Sequence, residues 1–147
     1  MLLRNEQQLA LNQVERVCIA TADQYATAAA SSEDEALSRL FDELARQRTE
    51  LAAELADHVR ALDDLPQQPD PDRETVNHLI TSIKAFFSED ERDTLIKERK
   101  KLELNLAEAA QAALQQALPE KTKLFLQQLL SHVDATLRQL DLARRRD

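Results

Sequence analysis

DDLPQQPDPD, residues 63–72, holds three of the four prolines in a chain of 147 residues. Proline lacks an amide hydrogen and pushes the residue before it toward extended backbone, so three within ten positions stop a helix. The stretch reads as the linker of the chain and its surroundings read as helix. No glycine occurs anywhere, and tight β-hairpin turns draw on the positive φ that glycine supplies. Alanine, leucine, glutamine, glutamate and arginine dominate, which are strong helix formers. The expectation is all-α: one helical bundle domain over 1–147, a length at which folding buries roughly 70% of the unfolded surface.

Capping signals divide the rest. Ser32 with Glu35, and Ser88 with Glu91, match the S-x-x-E capping box. Asp70-Pro71 and Leu118-Pro119-Glu120 place proline where a helix begins. Helices are expected at about 4–31, 33–63, 72–87, 89–118 and 120–145, the third short and the others near 40 Å at about 1.5 Å per residue. The breaks at 31–32 and 118–119 leave room only for antiparallel turns. The proline linker and short helix are long enough to cross the bundle. Two antiparallel helical hairpins with one crossover make the ferritin-like connectivity among four-helix bundles.

Apolar residues recur at the spacing such packing needs. Leu11, Cys18 and Tyr25 align beside Val14, Thr21 and Ala28; Leu37, Leu44, Leu51 and His58 run beside Phe41, Arg48, Leu55 and Leu62. Leu95, Leu102, Leu106, Ala109 and Ala113 mark the fourth helix, and Leu126, Leu130, Val133, Leu137 and Leu140 the last. Val76, Leu79, Ile80, Ile83 and Phe87 give the short helix an apolar face.

The first hairpin also resembles that of a bacterial ferritin-like family of unknown function. The resemblance rests on Leu11-Asn12, Tyr25 with Ala28-Ala29, Phe41, Arg48, Glu54-Leu55, Val59 and Leu62, with Glu103, the ALPEK turn and the final helix. It extends over nearly the whole chain and implies a fold and no activity. Asp63-Asp64 stand where that family usually carries a glycine pair, and VNHLITSIKAF lacks its usual His-Arg and tryptophan.

Ferritin-like bundles often hold two iron or manganese ions, which takes a glutamate from each of two helices and Glu-x-x-His from each of the others. The residues three before the histidines are Leu55, Thr75 and Leu129, so that motif is missing. Glu54 and His58, four apart, are the weak metal candidates, and level counting brings no second acid to them; their bland reading is a helix-face pair. His78 and His132 read as surface residues. Arg48 is more promising. Counted from the turns, Glu15, Glu103 and Asp134 lie near its height, and a half-buried arginine needs carboxylates. The expectation is a buried polar network of Arg48, Glu15, Glu103 and Asp134 at the height where metal-binding relatives hold an ion. The alternative is that these long side chains snorkel to the rim and never meet.

A net charge of −8 disfavours nucleic acid as a partner, and Arg144, Arg145 and Arg146 read as cations complementing a helix C-terminus. Cys18 reads as a buried, inert thiol, no nucleophile has a base at triad-like spacing, and Tyr25 reads as a core aromatic. The start, MLLRNEQQLA, has too short an apolar run for a signal peptide, and no stretch is long enough to span a membrane. The expected function is non-enzymatic: a cytoplasmic bundle acting through a protein partner or self-association, without cofactor, catalytic residue, or small-molecule ligand. The alternative is a ferritin-like metal-binding oxidase or storage protein. A carrier with a pocket between the alanine-rich stretches 26–30 and 107–117 is a third reading, with close packing preferred there.

Overall fold

A computed structural model describes residues 4–66 and 91–145, which form four α-helices and, among the described residues, no strand. They are α1 (Glu6–Ser31), α2 (Glu35–Ala61), α3 (Glu91–Leu114) and α4 (Glu120–Arg145). The crossover helix expected at 72–87, with His78 and the Ser88 cap, lies outside the described residues.

The helix ends show which local chemistry prevails. Asn5 caps α1 in a reciprocal box: the Gln8 amide donates to Asn5 Oδ1 at 2.8 Å, and the Asn5 amide donates to Gln8 Oε1 at 2.9 Å. The expected Ser32–Glu35 box does not form. Asp34 is the cap of α2, its Oδ1 accepting from the Leu37 amide at 3.0 Å, while the Ser32 amide closes α1 by donating to the Ala28 carbonyl. A carboxylate gains more than a hydroxyl at the positive end of a helix, and Asp34 also pairs with Arg92.

At the end of α2 the Asp63 amide donates to the Arg60 carbonyl at 2.9 Å and the Asp64 amide to the Val59 carbonyl at 3.3 Å. That is a Schellman closure, and it puts Asp63 in the left-handed region at φ 59°. Glycine would sit there without strain; aspartate is among the few others that tolerate it. The third long helix ends at Leu114 rather than 118. Gln115 and Gln116 donate to Ala112 and Ala113, tightening the last turn, because Pro119 keeps Leu118 out of helical backbone.

Specific contacts fix how the helices run. Arg4 pairs with Asp64 at 2.9 Å and Ser38 Oγ donates to the Ala29 carbonyl at 2.7 Å, so α1 and α2 are antiparallel. Lys100 with Asp141 and Arg144 with Asp93 set α3 antiparallel to α4. Tyr25 lies against Glu103 of α3, and His58 and Gln47 of α2 bond Thr122 and His132 of α4. The α1–α2 seam is the most extensive, α1–α3 and α3–α4 come next, and α2–α4 is thin.

The core splits in two. One apolar cluster joins Leu11, Val14 and Cys18 to Leu55, Leu106 and Leu126; the other joins Tyr25 and Ala28 to Phe41, Leu44, Ile96 and Leu140. Between them lies a polar layer, built from positions that share the same stripes.

Candidate functional site

Thr21 of α1, Arg48 of α2, Glu103 of α3 and His132 of α4 meet in that layer. One helical turn beyond Cys18, Thr21 faces inward, and Arg48 falls between Leu44 and Leu55 on the buried stripe of α2. Arg48 and Glu103 are each 0% exposed. Their pairing is bidentate: Arg48 Nη1 donates to Glu103 Oε2 at 2.8 Å and Nη2 to Oε1 at 2.7 Å. Both terminal guanidinium nitrogens thus meet both carboxylate oxygens, the bidentate geometry open to this pair, while Nε has no partner. Nη1 also donates to Thr21 Oγ1 at 2.8 Å, and the Tyr25 hydroxyl donates to Glu103 Oε2 at 2.8 Å. The Arg48 Cζ stands 5.8 Å from the centroid of the Tyr25 ring.

Electrostatics follow from burial and this one pair. Burial works against the charge of Arg48, but the Glu103 carboxylate outweighs it and raises the arginine's pKa. Burial, reinforced by Glu103, drives the Tyr25 phenol well above its ordinary range. Burial also pushes the Cys18 thiol up to about 12, Arg48 opposing while Glu103 and Glu15 add to it. A thiol held that high is a weak nucleophile at neutral pH. Its Sγ lies 3.9 Å from the Arg48 carbonyl.

The residues singled out from the sequence separate here. Arg48 and Glu103 come together. Glu15 is buried on α1 and bears on Cys18, but the carboxylate paired with Arg48 is Glu103. Asp134 does not reach the layer: it is exposed and pairs with Arg138 one turn along at 2.5 Å. The side chain that α4 contributes is His132, expected on the surface and found half-buried. Glu54 is exposed, and among the described residues no bond joins it to His58. His58 instead bonds Thr122 Oγ1 at 2.9 Å and lies on Phe125 with ring centroids 4.9 Å apart.

Sequence reasoning missed Arg99, 1% exposed on α3. Its Nη1 donates to the Gln24 carbonyl at 3.2 Å, Glu98 approaches its Nη2 at 3.5 Å, and its Nε has no partner. Burial lowers its pKa. A signal was available, since Arg99 lies on the stripe of Leu95 and Leu106 inside the run KERKK.

Among the described residues no three His, Cys, Asp or Glu side chains converge as metal ligands. The donor chemistry agrees, because both oxygens of Glu103 are already engaged by a protein cation. The residues present do not fit a di-metal centre. Ala28, Ala29, Ala110 and Ala113 are buried against neighbouring helices, so the alanine-rich stretches pack closely. A groove of about 250 Å³ lies elsewhere, lined by Ala36, Leu40, Arg92, Gln139 and Leu142.

An all-α chain of four described helices around a buried ion pair is the class that fold and site define. The chain belongs to the family described as Domain of unknown function (DUF2383), whose sequence model matches residues 7–116. That range takes in Thr21, Tyr25, Arg48 and Glu103 and stops short of α4 and His132. The match covers 110 of the 147 residues, about three-quarters of the chain. No curated protein and no solved structure matches the chain. No described helix is long and apolar enough to cross a membrane.

Proposed function

We propose that the chain is a ferritin-like bundle of bacterial type, two antiparallel helical hairpins joined by a crossover, in which an internal ion pair stands where relatives of that architecture grip ions. It acts without catalysis in the cytoplasm, through a protein partner or self-association. The observation that carries this reading is the bidentate Arg48–Glu103 pair at 0% exposure. A fixed guanidinium supplies the central positive charge that a bundle with inward carboxylates otherwise takes from a metal. With the central polar side chains committed to one another, recognition falls to the surface, where Leu9, Leu104, Leu124 and Leu142 are each more than half exposed.

Elemental analysis of protein purified without chelators, run beside a sizing column, tests the proposal. The expected result is less than a tenth of an equivalent of iron or manganese. A mass above 16.7 kDa assigns the contact to a second copy, and a mass of one chain assigns it to a different protein. Stoichiometric iron or manganese overturns the reading.

A further inference from the structure

Both described histidines lie on the thin α2–α4 seam, and they bridge it differently. Gln47 settles the state of His132. Its Nε2 donates to Glu43 Oε1 at 3.0 Å, which turns its Oε1 toward His132 Nε2 at 3.1 Å. His132 Nε2 therefore carries the proton and donates. Its Nδ1 is left with a lone pair, 3.5 Å from Arg48 Nη2, which can only donate. The neutral ring thus links Gln47 to Arg48 by donating at one nitrogen and accepting at the other.

A second proton has nowhere to go but Nδ1. It would turn an acceptor into a donor facing another donor, and set two cations side by side in a half-buried place. The charged groups around the ring give little relief. From α2 the facing charge is Arg48, with Glu43 beyond Gln47; from α3 it is Glu103, whose two oxygens Arg48 occupies. On α1, Tyr25 donates to Glu103, and Glu15 and the Cys18 thiol are buried on the same helix. On α4 itself, Asp134 and Arg138 pair with each other in solvent. His58 differs: among the described residues its ring bonds the Thr122 hydroxyl, which can donate or accept, so that bond is open to either ring state.

We infer that His132 is a proton-sensitive latch, which holds α2 to α4 while neutral and releases that seam when protonated. Burial and Arg48 both lower its pKa, in keeping with the geometry. The sign follows. The unfolded chain takes up the proton near the ordinary histidine value of about 6.5 and the folded chain only below it, so stability falls as pH drops through that window and levels off beneath the depressed value.

The test uses the full chain, with urea midpoints measured from pH 7.5 to 5 and the histidine rings titrated by NMR. The wild-type midpoint should fall across the window. His132→Gln, which keeps a donor and an acceptor but cannot charge, should flatten that fall, and His58→Gln should leave it as in wild type. An equal fall in His132→Gln and wild type overturns the inference. Should His132→Gln not fold, the wild-type ring decides: titration below 6.5 with exchange quickening along α4 supports the latch, and titration at or above 6.5 refutes it.

Discussion

Arg48 and Arg99 are almost equally buried, and they differ in what meets their terminal nitrogens. Arg48 has a carboxylate across two hydrogen bonds and a threonine hydroxyl. Arg99 has one carbonyl and a loosely held glutamate on its own helix, and the Nε of each arginine is without a partner. Burial lowers the pKa of one, and the same burial is overcome in the other. A buried cation is thus no measure of stability by itself; what counts is whether an anion meets it inside the protein.

The largest expected effect is at the paired arginine. Arg48→Met strands Glu103 in the core and should cost about 3–5 kcal/mol by urea denaturation. Tyr25→Phe comes next. It removes one hydroxyl donor from the carboxylate, with an expected loss of about 2 kcal/mol, the range for a hydrogen bond to a charged group. Asp63→Gly lies away from both arginines and gives the scale for a change of backbone alone. It relieves the left-handed φ and should gain about 1 kcal/mol. The smallest shift sharpens the contrast most. Arg99→Met keeps the volume and discards a poorly matched charge, so stability should stay level or rise by up to about 1 kcal/mol. A loss as large as that of Arg48→Met would erase the distinction between the two arginines.

Much of this could be read from the sequence. The all-α character followed from a composition of helix formers without glycine, and Arg48 with Glu103 from counting along helices of fixed rise. The exceptions have physical causes. Level counting put Asp134 opposite Arg48 because it placed the turn at 118–119. The helix stops at Leu114 and the next starts at Glu120, so the midpoint of the turn falls earlier and α4 slides to present His132. Ser32 lost the cap to Asp34 because a carboxylate two residues on makes the stronger bond. Arg99 was hidden in a charge run that resembles a solvated face. Periodicity shows where a residue lies on a helix, but not that a charged one will be kept inside.

The most direct measurement is a double-mutant cycle across the ionic layer, with Arg48→Met, Glu103→Leu and the combination compared by urea denaturation. Each single change leaves one buried charge alone, whereas the double replaces both with apolar groups of similar size. The prediction is about 3–5 kcal/mol lost in each single variant and a double variant near wild type. Losses that add to within about 0.5 kcal/mol would show that the two side chains do not depend on each other, and the internal ion pair would not be the centre of this protein.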